Sequence, residues 1–423
     1  MRINDVVWEA IFDKYDALKT IELNGKFCIS ANQIKGFREP RLMTKFDHSI
    51  NLPEVFSKNG LSILPVSRGD YEISSFKAYQ KFEDFQGEIQ RVSLPDYLQT
   101  MLPQYLVSEA IALNCANASG ILNDFLEDEN ILPTVNGRMS TGKFDFNIDT
   151  LSGRKSVKVN NAQLEIDAAY EGVKFVSIFE AKRDLAEDFI VRQLYYPYRL
   201  WKNRVTKPIK TVFLVFSNGT FYLSQYQFEN MQDYNSLKLV KQKRYTISQK
   251  IAISDLEDIL KNTDVEEEPE IAFPQANSML RIINLMELLF EKDMSKQDIT
   301  NQYAFDERQT NYYTDACRYL GVVRKNRKCG NEIIFYLTDL GKKIMKLNYR
   351  DRQLAIVKQI LKHRAFNAIL KLHLQYGEMP PRNRVIEILK ESNPYNIESD
   401  STFERRSSTI IKWIEWILDL IEE

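Results

Sequence analysis

The chain has 423 residues, of which 44% are apolar and 27% charged, and a net charge of −1. Such a length corresponds to two or three domains, and such a composition to an ordinary globular protein with material for several cores. No apolar run approaches the roughly 18 residues of a helical membrane span, and no membrane partner is expected.

The N-terminal stretch MRINDVVWEAIFDKYD lacks a signal-peptide core, which points to the cytoplasm. Cys28, Cys115, Cys317 and Cys329 are scattered without a C-x-x-C pair, so neither a disulfide framework nor a zinc knuckle is indicated. His48, His363 and His373 are the only histidines, too few for most His-rich metal sites. No phosphate-binding G-x-x-x-x-G-K-[ST] or G-x-G-x-x-G is present, which argues against a nucleoside-triphosphatase or a dinucleotide enzyme. The near-zero net charge hides a split. Residues 324–390 carry 16 Lys/Arg against 5 Asp/Glu, a net of +11, whereas 255–270 carry eight acids and one lysine. The split suggests a basic module joined through an acidic connector.

In chain order, residues 1–92 concentrate Arg38, Arg41, Lys45, His48 and Arg68 among turn and strand signals. A boundary is expected near Pro95, and residues 93–252 form the next expected domain. Helical periodicity runs there from about Gln104 to Leu126, and the turn-rich NGRMSTG leads into a strand, KFDFNIDTL. A strand QLEIDAAY, a turn at Glu171-Gly172 and a strand KFVSIFEAK follow. A helix is expected from about Ala186 to Asn203, then an apolar strand KTVFLVFS and, across Asn218-Gly219, its hairpin partner TFYLSQYQF. This α-β-β-β-α-β order predicts a mixed sheet flanked by helices, in an α+β multidomain chain. Residues 253–274, acidic and containing Pro269 and Pro274, read as a linker, and 275–423 as a helical domain with one short hairpin.

The segment QLEIDAAYEGVKFVSIFEAKRD carries the chemistry. Strand periodicity puts Glu165 and Asp167 on one face and Leu164 and Ile166 on the other. Glu180 and Lys182 share a face of the second strand, and the turn at Gly172 brings Asp167, Glu180 and Lys182 to one end of the hairpin. Two carboxylates on rigid strands make a hard oxygen site for Mg²⁺. A lysine two residues from a ligand can orient an attacking water and stabilise developing negative charge. A sheet rim with a surface ion pair is the bland reading of the same residues. Glu180-Ala181-Lys182 is, however, the only D/E-x-K triplet in the chain, where about four or five would arise by chance.

This segment resembles the PD-(D/E)XK nuclease superfamily over roughly residues 96–230. The proline of that motif is absent, Ile166 standing before Asp167. The resemblance implies a restriction-endonuclease-like core in which Asp167 and Glu180 hold Mg²⁺, with Mn²⁺ as a substitute, and Lys182 assists DNA cleavage. It also implies that Gln193, on the following helix DFIVRQLYYPYRLWKNR, lies beside the site. Glu165 and Glu109 are further candidates, and Arg192, Arg199, Lys202 and Arg204 form either a phosphate-facing edge or a solvated helix face.

Residues 278–347 resemble a winged helix-turn-helix. SMLRIINLMELLFEK is its first helix, SKQDITNQYAF its second with Ser295 as N-cap and Asp298 three residues on, and DERQTNYYTDACRYLGVV its third. Arg308, Gln309, Thr310, Asn311 and Tyr312 would then sit at the start of the recognition helix, with Arg324, Lys325, Arg327 and Lys328 on a wing that contacts phosphate. Arg405, Arg406, Ser407, Ser408 and Lys412 are candidate DNA-facing residues of the last helix, while Ile410, Ile411, Ile414, Ile417 and Leu418 read as core. Residues 1–92 resemble the N-terminal DNA-recognition domain of some type II restriction endonucleases, with Arg38, Arg41, Lys45 and Arg68 as DNA contacts.

These resemblances imply a Mg²⁺-dependent, site-specific endonuclease of the type II restriction class acting on double-stranded DNA. A homodimer is expected because two strands are cut, and a cognate DNA methyltransferase is the expected genetic partner. The competing reading is a non-catalytic winged-helix regulator or replication initiator. A third is a structure-specific or RNA nuclease on the same core.

Overall fold

A computed structural model of the chain describes residues 3–95, 97–101, 108–183, 185–247, 251–302, 307–327 and 332–421. It mixes helices and strands in an α+β, multi-unit arrangement that divides into two compact units. The first comprises Met1–Pro95, Ser108–Phe216 and Thr220–Thr246, and the second Asp96–Val107, Ser217–Gly219 and Ile247–Glu423. No helix among the described residues is long and apolar enough to cross a membrane.

The first unit opens with helices α1 (Ile3–Lys14) and α2 (Ala17–Asn24), strand β1 (Phe27–Ser30), and helices α3 (Ala31–Lys35) and α4 (Pro40–Thr44). A single 3₁₀ turn (Ser49–Asn51), helix α5 (Glu54–Lys58) and strands β2 (Ser62–Pro65) and β3 (Asp70–Ser74) follow. The strands form an antiparallel sheet in the order β1-β3-β2. Its core gathers Trp8, Ile11, Phe12 and Phe56, with the Trp8 and Phe56 rings edge-on at 4.8 Å.

Strands β4 (Tyr79–Lys81) and β5 (Ile89–Arg91) lead to helices α6 (Glu109–Ala118) and α7 (Ile121–Leu126). The Ser108 hydroxyl caps α6 by accepting from the Ile111 amide at 3.2 Å. The single helix expected over 104–126 is thus two helices within the described residues; Gly120, at φ +76°, turns the chain between them, and residues 102–107 lie outside the description.

A seven-stranded sheet follows, built from β6 (Leu132–Ser140), β9 (Gln163–Glu171), β10 (Val176–Lys182), β12 (Ile209–Ser217), β13 (Thr220–Phe228) and β14 (Leu237–Thr246) together with β5, after two further strands, β7 (Lys143–Thr150) and β8 (Gly153–Asn160). Its order is β5-β14-β13-β12-β10-β9-β6. β6, β9 and β10 are successive antiparallel neighbours, and β10 runs parallel to β12. A parallel pair needs a crossover, supplied by β11 (Asp188–Ile190), which pairs with β4, and by helix α8 (Arg192–Lys202). The helix expected over 186–203 therefore begins later, its first turn replaced by a strand. The residues expected as a turn, NGRMSTG, mostly belong to β6: Gly137, at φ +91°, sits at a register shift, and the turn itself is confined to Thr141-Gly142. KFDFNIDTL is a strand, but it pairs with β8 in a separate two-stranded sheet, so the strand that precedes β9 and β10 in the main sheet is β6. β8 carries little strand signal because GRKSVKVN is mostly polar, although Val157 and Val159 alternate into the core.

The second unit contains α9 (Ile253–Lys261), α10 (Met279–Glu291), β15 (Met294–Ser295), α11 (Lys296–Gln302), α12 (Glu307–Tyr319), β16 (Val323–Arg327), β17 (Ile333–Leu337) and α13 (Asp339–Met345). Helices α14 (Tyr349–Leu361), α15 (Arg364–Tyr376), α16 (Arg382–Glu391) and α17 (Asp400–Asp419) complete it. Its antiparallel sheet has the order β15-β17-β16. Ser295 and Asp298 cap α11 reciprocally, the Asp298 amide donating to Ser295 Oγ at 3.0 Å and the Ser295 hydroxyl to the Asp298 carboxylate at 2.8 Å. Gly341 lets α13 approach the preceding chain, since a Cβ there would meet the Val322 carbonyl at 2.3 Å. The core stacks Phe273, Phe366 and Trp413, and Ile410, Ile414 and Ile417 are buried in it with Ile411 and Leu418 packed against it.

The expected linker 253–274 is not free chain. It forms α9, buries Leu256, Leu260 and Phe273, and straps onto the unit through ion pairs Asp255–Arg350 at 2.5 Å and Glu266–Lys362 at 2.8 Å. Two of its eight acids thus find cations, Arg350 of α14 and Lys362 just after it.

Candidate active site

Strand β10 is buried along nearly its whole length, flanked by β9 and β12, so a polar group on it is held in a low-dielectric sheet centre. The β9–β10 ladder pairs Phe179 with Ala168. One residue further along β9, the Asp167 carboxylate accepts from the Ala181 amide at 2.8 Å. That bond fixes Asp167 against the strand that carries Glu180 and Lys182. The turn closing this hairpin is held by Asp128, whose carboxylate accepts from the amides of Glu129 (2.9 Å), Lys174 (3.1 Å) and Phe175 (2.9 Å). Gly172 is required beside it, because a Cβ there would meet Asp128 Oδ2 at 2.4 Å.

At the open end, Lys182 Nζ donates to Glu180 Oε1 at 2.5 Å, and Gln193 Nε2, from α8, donates to the same oxygen at 2.6 Å. Asp167, Glu180, Lys182 and Gln193 are thus brought together. The side chains of Glu180 and Lys182 are only 8% and 12% exposed. Burial pushes the Glu180 carboxyl up to about 8, against the pull of Lys182 and with the help of Asp167 and Asp47. Burial works against the Lys182 ammonium, yet Glu180, Asp47, Asp167 and Glu109 hold it above the usual lysine range. Glu109 stands in the first turn of α6, so that helix adds a further negative charge to the cluster.

Asp47 carries no motif and lies far upstream in the chain, which is why spacing did not reveal it. The only signal was an acid within the otherwise basic turn that also carries Lys45 and His48. The chain around it is sewn to β4 and β11. The Ile190 amide donates to the Asp47 carbonyl at 2.9 Å, the Tyr79 hydroxyl to the Phe46 carbonyl at 2.9 Å, and the Ser49 amide to the Asp188 carboxylate at 3.0 Å. His48 is buried with Nδ1 on the Asp188 carbonyl, and burial depresses its pKa, so it is an internal hydrogen-bond partner.

The donor set suits a hard divalent ion: two carboxylates converge, and Gln193 Oε1 is a buried acceptor without a hydrogen-bond partner. Among the described residues, no group of three His, Cys, Asp or Glu side chains is arranged to hold a metal ion. In this arrangement the Lys182 ammonium occupies the Glu180 oxygen that a cation would take.

Other expected site residues separate. Glu165 is on the Asp167 side of β9 but its side chain is 59% exposed and pairs with Arg138 at 3.5 Å, outside the cluster. Arg199 is buried, donating to the Asp145 and Met231 carbonyls and the Tyr195 hydroxyl, so it braces the fold and faces no phosphate. Lys202 and Arg204 are exposed, and the charge of Arg192 acts on Asp47. Arg38 donates to Asn4 at 2.6 Å, Lys45 lies 3.6 Å from Asp47, and Arg41, Lys45 and Arg68 are exposed.

In the second unit, Arg308 and Asn311 are exposed on α12 and Gln309 is half-buried, but Thr310 is buried with its hydroxyl 2.9 Å from that of Thr300, because its position falls on the inner face of the helix. Arg324 and Lys325 are exposed on β16. The side chain of Arg327, and Lys328 entirely, lie outside the described residues. On α17, Ser407 is buried, Arg406 turns to Gln275 at 2.6 Å and Lys412 pairs with Glu415 at 2.7 Å, leaving Arg405 on the exposed face.

Three family models match the chain, each described as a domain of unknown function: DUF6996 over residues 5–73, DUF6997 over 74–246 and DUF7226 over 281–422. No curated protein and no solved structure matches it.

Proposed function

We propose that the protein is a divalent-metal-dependent DNA endonuclease of the PD-(D/E)XK type, with the cleavage site on β9 and β10 of the first unit. The observation that carries this reading is the convergence of Asp167, Glu180 and Lys182 at one end of an antiparallel strand pair, with β10 continuing parallel to β12 through a crossover helix that places Gln193 on Glu180. Asp167 and Glu180 would hold Mg²⁺, or Mn²⁺ in its place. When bound, the metal lowers the pKa of a water and neutralises charge on the scissile phosphate. Lys182, released from Glu180, would donate to the attacking water and the phosphate oxygen. Gln193 fixes the Glu180 carboxylate, which otherwise has several rotamers.

The second unit supports a DNA-binding role within this reading. Its order of helix, short strand, helix, helix and two-stranded hairpin is that of a winged helix, with Arg308 and Asn311 exposed at the start of α12 and Arg324 and Lys325 on the hairpin. Site-specific cutting of both strands, as a homodimer alongside a cognate methyltransferase, is the type II restriction form of the proposal. The closed Glu180–Lys182 pair is what favours the competing reading, a non-catalytic DNA-binding regulator.

The purified chain incubated with plasmid and bacteriophage DNA, with Mg²⁺ or with EDTA, beside Lys182→Ala, separates the two. Discrete fragments that need Mg²⁺ and vanish in the variant are expected. Salt-sensitive binding without cutting, unchanged in the variant, would establish the regulator instead.

A further inference from the structure

We propose that the second unit holds a nucleotide-binding site, a cavity bounded by residues 266–271, the end of α12, the start of β16 and the end of α14, which takes an adenine nucleotide. The inference is independent of the nuclease reading. The cavity measures about 510 Å³, within the range that encloses a small organic ligand. Its wall mixes the apolar side chains of Ile271, Val323 and Leu340 with the amide of Gln359 and the imidazole of His363, while Arg324 and Lys325 line it as exposed residues at its mouth. Lys362 and Arg318 also line it, but they are tied to Glu266 at 2.8 Å and to Asp315 at 2.7 Å. Arg324 and Lys325 are therefore the cations that a ligand's phosphate meets. Glu267, the other carboxylate of the lining, is exposed, so solvent screens its repulsion.

The inner wall points to a planar, hydrogen-bonding body. Gln359 is only 8% exposed, and its amide carries a donor beside an acceptor, the pair that complements the edge of adenine. The His363 side chain is 9% exposed, and its ring stacks on Tyr319 at 3.9 Å. Its Nδ1 is buried without a hydrogen-bond partner, the Glu268 carboxylate standing 3.6 Å away. A buried polar atom left unpaired costs free energy, which a donor group of the ligand, or a water carried in with it, recovers. Two buried polar side chains inside and two exposed cations at the mouth match a molecule with a heteroaromatic ring at one end and a phosphate at the other.

The test is isothermal titration calorimetry of the full chain with AMP, with adenosine and with inorganic phosphate, in the absence of divalent metal. AMP should bind once per chain, and adenosine and phosphate each at least about tenfold more weakly, because each meets only one end of the cavity. The double variant Arg324→Ala/Lys325→Ala should weaken AMP about tenfold and leave adenosine unchanged, whereas Gln359→Ala should weaken both about tenfold. Lys346→Ala, which removes an exposed cation outside the cavity lining, should leave AMP binding as it is. No binding of AMP at millimolar concentration, or a loss on Lys346→Ala as large as that of the double variant, overturns the inference. The double variant changes exposed residues only, so its result stands even where Gln359→Ala fails to fold. A single-stranded oligodeoxyadenylate separates the two sources of the ligand. Binding tighter than AMP and weakened by Gln359→Ala makes it a base of a DNA strand; binding no tighter than AMP makes it a free nucleotide.

Discussion

The β9–β10 end of the first unit and the α12–β16 surface of the second handle charge in opposite ways. In the first, Glu180 is buried, Asp167, Lys182 and the Gln193 of α8 are half-buried, and the hydrogen bonds that join them end on Glu180 or on the backbone of β10. In the second, Arg308, Asn311, Arg324 and Lys325 stand exposed. Buried charges interact strongly and hold one geometry, which chemistry on a phosphate requires; exposed cations are screened and mobile, which suits contacts along a backbone of repeating phosphates. One residue change in the first should therefore abolish an activity, whereas one in the second should only weaken an affinity.

The sharpest break of that comparison is Lys182→Ala or Asp167→Asn. Either should lower Mg²⁺-dependent cleavage by about 10³-fold in single-turnover assays while DNA affinity, measured by anisotropy, holds. A loss of affinity of the same size would mean that the buried cluster is a binding element. Next is Asp128→Ala, which removes the acceptor of three amides at the hairpin turn and should cost about 2 kcal/mol in denaturant unfolding. Burial opposes the Asp128 charge, but those amides hold its carboxyl below the usual aspartate value. Its folded pKa being depressed, the stabilisation is present above the unfolded value near 4 and fades as pH falls through the folded one, so the gap between wild type and variant should narrow in acid. Gln193→Ala should cost about tenfold in cleavage, since Gln193 steadies Glu180 and the change also removes the free Oε1 acceptor beside it. The smallest change is expected from Arg324→Ala with Lys325→Ala: the slope of log affinity against log salt should fall by about 2, with cleavage at saturating DNA unchanged. An unaltered slope would remove the hairpin from the proposed DNA surface.

The hairpin of the candidate site was legible because strand periodicity is local. Alternation in QLEIDAAY and VSIFEAK, with a turn at Gly172, places Asp167 opposite Glu180 whatever the rest of the chain does. The cap of α11 at Ser295 and Asp298 was legible for the same reason. Expectations drawn from residue type alone fared differently. Arg199 is expected on a phosphate-facing edge or a solvated face, and Thr310 and Ser407 towards DNA, yet each falls on the inner face of its helix and finds a partner there. The acidic 253–274 stretch read as a solvated connector because its neutralising partners, Arg350 and Lys362, lie far along the chain.

The sequence by itself determined which side chains share a strand face, where the single Glu-x-Lys triplet lies and that Ser295 caps α11, because these depend on neighbours within a few residues. Only the tertiary structure decided that the charge of Asp47 acts on Lys182, that Glu180 is buried enough for its proton affinity to rise, and that β6 rather than KFDFNIDTL borders β9. Those outcomes depend on burial and on pairings between distant segments, whose free energy exists only once the sheet has closed around them.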